Sequence, residues 1–212
     1  MGCLGLSRTK SKALASSSKI RKVVMIGLDG AGKTTITYKM KLGETQQTTT
    51  TIGLNVETIK HRNTEFLVFD IGGSARSLWV HYLQDVDVLI WVIDSSEKER
   101  LPIIREEIAK VAQMMKNQDF LLAIFLNKQD LPSKLPTHEI LQKIGVDEID
   151  VSHMLIQTCS AVSGDGLKDG LEKIVDCLLQ KEKMKNNPML SLKQVECKET
   201  CLDGEKMISG LA

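Results

Sequence analysis

The sequence predicts an α/β fold: six strands in one mostly parallel sheet, with helices on both faces. Three observations lead there. Short apolar runs alternate along the chain with helix-length amphipathic stretches. The strongest runs, Val88–Ile93 and Phe120–Leu126, lack the alternation of a half-exposed strand and suit strands buried on both faces. Polar, glycine-rich or asparagine-containing loops follow the carboxyl ends of several strands, where open α/β sheets place their ligands.

Each element has its own signal. Val23–Ile26 is a β-branched run, and Gly32–Leu42 reads as a helix after a glycine turn. Gly53–Lys60 and Glu65–Ile71 flank Arg62-Asn63-Thr64 and read as an antiparallel hairpin. Val86–Asp94 is a buried strand. A helix over Glu97–Lys116 carries apolar residues at Leu101, Ile104, Ile108, Val111 and Met115. Phe120–Leu126 is the next strand. Thr137–Ile144 follows as a short helix, with Thr137 as its expected cap and Gly145 at its end. Met154–Thr158 and Leu167–Lys181 complete the series. The expected organisation is an arm over residues 1–19, one domain over 20–182, and a disordered tail over 183–212 that is poor in apolar residues.

Charge is unevenly spread. The chain of 212 residues has a formal net charge of +1, yet Arg8, Lys10, Lys12, Lys19, Arg21 and Lys22 stand in the first 22 residues with no acidic neighbour. Residues 23–180 carry 16 basic and 22 acidic side chains. A basic arm on an acidic body points to an anionic surface met by the arm alone, and away from nucleic acid. No apolar run approaches the ~20 residues of a membrane span. Five cysteines without metal-ligand spacing are expected to be reduced thiols in a cytosolic protein.

Three motifs then converge on one pocket. Gly27-Leu28-Asp29-Gly30-Ala31-Gly32-Lys33-Thr34, followed by Thr35, satisfies G-x-x-x-x-G-K-[ST] between a strand and a helix. Its amides can surround a β-phosphate, with the helix dipole favouring the negative charge. Lys33 should reach the β- and γ-phosphates and the Thr34 hydroxyl should ligate Mg²⁺. Asp70-Ile71-Gly72-Gly73 follows a second strand and Asn127-Lys128-Gln129-Asp130 a third. The Asp130 carboxylate can accept two hydrogen bonds from guanine that adenine cannot offer, which disfavours an ATP-using kinase or ATPase. Asn127 can tie its loop to the phosphate loop, and the Lys128 stem can cover a face of the base.

On these motifs the chain resembles the Ras-like small GTPases, with their P-loop NTPase fold, and within them the Arf and Arf-like family. Further carrying segments are Thr51-Ile52-Gly53-Leu54-Asn55-Val56-Glu57, Leu78-Trp79, His81-Tyr82 and Thr158-Cys159-Ser160-Ala161. The resemblance covers roughly residues 20–180. It implies that Thr51 closes on Mg²⁺ when the γ-phosphate is present. It also implies that Asp70 holds the metal through water, that the Gly73 amide touches the γ-phosphate, and that Cys159, Ser160 and Ala161 line the guanine. An exchange factor, a GTPase-activating protein and effectors are implied as partners of a monomeric GTP/GDP switch.

Departures from the family pattern matter as much. Ser74 stands where the family places the glutamine that orients the attacking water, so intrinsic hydrolysis should be very slow. Arg76, close by, reads as a solvated side chain. Leu54, Phe69 and Tyr82 occupy positions that partners contact, the first two smaller than the family's usual Phe and Trp. Thr50 replaces a proline before Thr51, which should loosen that loop. Two readings stay open: a membrane switch in vesicle trafficking, reset by a partner, and a GTP-bound scaffold that does not hydrolyse on its own. Gly2 is an expected myristoylation site, although Leu6 breaks the strict pattern, and Cys3 beside it is an expected palmitoylation site. These modifications would place the protein in the cytoplasm, peripheral on Golgi, endosomal or plasma membranes.

Overall fold

The structure, a computed structural model, describes residues 19–42, 54–72 and 76–186. Six strands, β1 (Lys19–Ile26), β2 (Leu54–His61), β3 (Thr64–Ile71), β4 (Val88–Asp94), β5 (Leu121–Asn127) and β6 (Met154–Thr158), form one sheet in the order β2-β3-β1-β4-β5-β6. Only β2 runs antiparallel to its neighbour, through the hairpin expected from the sequence, with His61 opposite Thr64 and Leu54 opposite Ile71. The helices are α1 (Lys33–Leu42), α2 (Arg76–Tyr82), α3 (Leu101–Met114), α4 (Thr137–Ile144) and α5 (Leu167–Asn186).

Strand β4 is buried along its whole length and shows how the sheet divides the core. Leu89, Trp91 and Ile93 join a cluster with Trp79 of α2, Ile104 and Ile108 of α3, and Ile140 of α4. Val88, Ile90 and Val92 join the opposite cluster with Ile36 of α1 and Leu171 and Ile174 of α5. The alternation is that of the pleat, and both faces are apolar because both are covered. Trp79 meets Trp91 edge to face at 5.4 Å between centroids. On the other face α5 approaches so closely that a Cβ on Gly170 would lie 2.7 Å from Phe125 Cζ.

Several boundaries differ from the sequence expectation. Helix α3 starts at Leu101, because residues Lys98–Arg100 form a 3-10 turn and Pro102 fits only the first turn of a helix. Thr137 is not the cap of α4: Pro136 takes that position at φ −58 and ψ 142, and no side chain caps the helix. Gly145 does end it, in the left-handed conformation at φ 66. Helix α5 continues to Asn186, past Lys181, and the short helix α2 carried no clear periodic signal.

Strand β1 also begins earlier than the expected Val23, at Lys19. Lys19 and Arg21 pair with Glu182 of α5. Arg21 also meets Asp87 at 2.9 Å, whose second oxygen accepts the Lys22 amide at 2.9 Å. Lys22 Nζ donates to the Gln84 carbonyl. Three of the six basic residues are therefore committed to closing β1 against the body.

Phe125 is wholly buried in the cluster that α1 and α5 cover. Phe125→Ala should cost about 3–5 kcal/mol of unfolding free energy. Urea denaturation reads the loss, and a change under 1 kcal/mol would contradict this packing.

Candidate nucleotide site

The loop from β1 to α1 is shaped by Gly27 and Gly32, where a side chain would collide with a neighbour. A Cβ on Gly27 (φ 142) would sit 2.3 Å from the Val92 carbonyl oxygen, and one on Gly32 (φ 93) would sit 2.4 Å from Asn127 Nδ2. The loop thus runs pressed against β4 and against Asn127 at the end of β5. Within it the Ala31 amide donates to the Leu28 carbonyl at 3.3 Å. Leu28 and Ala31 are buried, and Gly30 adopts φ 75.

Two opposite charges are buried beneath this loop. Lys33 is 6% exposed and its ammonium donates to the Gly27 and Leu28 carbonyls at 2.9 and 3.0 Å. Burial lowers its proton affinity, Asp70 and Asp29 raise it, and Arg100 lowers it further, for a net fall. Asp70 is fully buried; the Thr34 hydroxyl donates to its Oδ2, while its Oδ1 has no partner among the described residues. Burial raises the Asp70 pKa despite the Thr34 hydrogen bond and the nearby Lys33. An orphaned carboxylate oxygen beside a hydroxyl is a hard-oxygen donor set, and it fits Mg²⁺, which takes few protein ligands and completes its shell with phosphate and water. Among the described residues no group of three His, Cys, Asp or Glu side chains gathers to hold a metal.

On the far side, Asn127 joins three loops. Its Nδ2 donates to the Ala31 carbonyl at 2.8 Å, and its Oδ1 accepts the Ala161 amide at 2.9 Å. Asp130 accepts a hydrogen bond from Ser160 Oγ at 2.6 Å, and Ser160 Oγ in turn accepts the Ser163 amide. Lys128 takes φ 65, and its ammonium pairs with buried Asp94 at 2.5 Å. The Gln129 side chain donates to Ser95 Oγ at 2.9 Å, and the Gln129 backbone N–H donates to the Cys159 carbonyl. Burial pushes the Cys159 thiol up to about 12, so it stays protonated and unreactive.

The structure therefore brings together Gly27–Thr34, Asp70, Asn127, Lys128, Asp130 and Cys159–Ala161. Thr35 stands in the first turn of the same helix α1. Thr51, Gly73, Ser74, Gly2 and Cys3 lie outside the described residues, as does the tail beyond Asn186. At the other expected surface the Phe69 and Tyr82 rings meet at 5.9 Å, with Lys22 over Phe69. Leu54 begins β2 and is 36% exposed. Sequence reasoning missed Asp94, Ser95 and Arg100. Arg100 holds Asp29 of the phosphate loop through its carboxylate at 2.7 Å and its carbonyl at 3.0 Å. No motif carries these residues: the strand order brings Arg100 to the phosphate loop, and Asp94 and Ser95 to Lys128 and Gln129.

A six-stranded sheet of this order, with a glycine loop after its third-placed strand and the Asn127 loop two strands further along, defines the P-loop NTPase fold of the small GTPases. A family model described as the ADP-ribosylation factor family matches residues 8–178. Among solved structures, the Arl6 BBS3 small GTPase from Trypanosoma brucei with bound nucleotide analogue GppNp is similar. Its TM-score is 0.68 at 30% sequence identity, over 76% of this chain and 99% of that one. The chain belongs to the ADP-ribosylation factor family.

Two outcomes follow from the geometry. Asn127→Ala strands the Ala31 carbonyl and the Ala161 amide, and should cost about 2–3 kcal/mol in denaturation. Asp70 has a folded pKa above its ordinary value of 3.8, so ionising it destabilises the nucleotide-free fold as pH rises through that folded pKa. Asp70→Asn should therefore raise the melting temperature of the nucleotide-free protein at pH 7. The gain should vanish below pH 3.8, where both side chains are neutral. A lower melting temperature at pH 7 would contradict the burial cost.

Proposed function

We propose that this chain is a Mg²⁺-dependent GTP/GDP switch that works at membranes, recruits effectors in vesicle trafficking, and hydrolyses GTP slowly unless a partner assists. The observation that carries the reading is Asn127. One buried amide joins the loop built for phosphates to the loops that hold Asp130 and Ala161, so phosphate and base recognition form one unit. Membership of the family and a relative solved with a nucleotide analogue support the same ligand class.

The chain's own residues divide the work. Lys33 exchanges its loop carbonyls for the β- and γ-phosphates. The amides of residues 29–34 donate to phosphate oxygens at the head of α1. Thr34 and Thr51, and Asp70 through water, would hold Mg²⁺, whose charge would offset that of the phosphates. Asp130, fixed by Ser160, selects guanine, and Gly73 reports the γ-phosphate. Ser74 is too short to orient a water as glutamine does, so a GTPase-activating protein supplies that group. Leu54, Phe69 and Tyr82 form the effector surface.

Membrane attachment rests on Gly2 and Cys3 as acylation sites. Lys19, Arg21 and Lys22 are engaged with the body, so the arm brings only Arg8, Lys10 and Lys12 to an anionic surface. At about 1 kcal/mol each near the membrane this is a weak second signal, which makes a second acyl chain at Cys3 the more effective one. Among the described residues no helix is long and apolar enough to cross a membrane. The second reading, a scaffold that keeps GTP, draws on Ser74 alone.

The nucleotide carried by the purified protein, followed with Mg²⁺ by chromatography, tests the reading. GTP that turns to GDP slowly alone and faster with cell extract is expected. GTP that persists in both favours the scaffold, and a preference for ATP in competition would contradict both readings. Ser74→Gln should raise the single-turnover rate about tenfold or more; an unchanged rate would mean that more than the glutamine is missing. Gly2→Ala should release the protein from membranes in fractionation.

A further inference from the structure

Asp29 is an electrostatic oddity. It is the one acidic residue in a loop that surrounds phosphates, where a carboxylate repels the ligand. Arg100 answers it from the 3-10 turn beyond β4. Nη2 meets Asp29 Oδ1 at 2.7 Å, Nη1 donates to the Asp29 carbonyl at 3.0 Å, and Nη1 also reaches Glu97 at 2.9 Å. The Asp29 side chain is 52% exposed and that of Arg100 28%. Exposed pairs of this kind add little to stability, so fold maintenance does not account for so complete a grip.

We propose that Arg100 is a positioning residue of the phosphate loop, which masks the Asp29 carboxylate and fixes the loop backbone at residue 29 so that the loop accepts a polyphosphate. The proposal rests on the guanine-nucleotide reading above. With Arg100 in place, the carboxylate and guanidinium cancel and the loop amides and Lys33 set the local potential. Without it, an uncompensated negative charge stands in the loop, and the penalty grows with the charge of the ligand. Arg100 thus sets how strongly the loop holds a triphosphate relative to a diphosphate, while touching neither through the bonds it makes here.

The test is a charge cycle on the full chain with Mg²⁺. Dissociation constants for GTP and GDP are measured for the wild type, Arg100→Ala, Asp29→Asn and the double variant. Arg100→Ala should weaken GTP by roughly tenfold and GDP by roughly threefold at low salt, with the difference shrinking as salt screens it. In the Asp29→Asn background the same removal should cost clearly less than in the wild type, because the carboxylate through which Arg100 holds residue 29 is already gone, and Glu97, its other partner, lies outside the loop. Arg100→Lys, which keeps the charge and loses the fork, should retain most of the GTP affinity and guards against an alanine variant that fails to fold. Equal losses in both backgrounds, or a loss independent of phosphate number and of salt, would overturn the masking role and leave Arg100 a mechanical brace. A wild type that binds neither nucleotide would remove the guanine-nucleotide reading itself, and the proposal with it.

Discussion

The site depends on one buried amide. Asn127 stands at the end of a strand in the middle of the core, and its side chain has both of its polar atoms engaged by backbone from two other loops. The Ala31 carbonyl and the Ala161 amide are far apart in sequence, and both are buried, so each needs a partner. A single side chain satisfies both. Gly32 is part of the same constraint, because a Cβ there would collide with this amide. The phosphate loop, the Asp130 loop and the Cys159–Ala161 loop therefore hold their positions together.

Around that hub lie groups held at an energetic disadvantage. Asp70 and Lys33 are both buried, and both are shifted toward their neutral forms by burial. Among the described residues Asp70 Oδ1 lacks a partner and the Lys33 ammonium is satisfied only by carbonyls of the loop it should serve. Such groups cost stability in the empty protein and recover it when a ligand of opposite charge arrives. Functional residues pay here for readiness, whereas Trp91, Phe125 and Ile108 supply the stability that tolerates it.

Much of this was legible in the sequence because apolar patterning and glycine placement are local. The continuous runs of β4 and β5 announced strands covered on both sides, and Arg62-Asn63 announced the hairpin. The phosphate and guanine motifs sat at strand ends as the fold requires. Where local chemistry misled, a neighbour outweighed it: Pro136 took the cap position from Thr137, and Pro102 set the start of α3. Lys19, Arg21 and Lys22 looked like free charge until the sheet brought Glu182 and Asp87 beside them. Arg100 and Asp94 were illegible for the same reason, since only the strand order sets the turn after β4 beside the phosphate loop.

Amide hydrogen exchange on the nucleotide-free protein, repeated with GTP and Mg²⁺ and then with ATP and Mg²⁺, tests most directly whether these three loops act as one guanine-nucleotide site. GTP should protect residues 28–33, 127–130 and 159–161 together, and ATP should protect none of them to a similar degree. Protection confined to residues 28–33, or equal for the two nucleotides, would contradict a single guanine-nucleotide site.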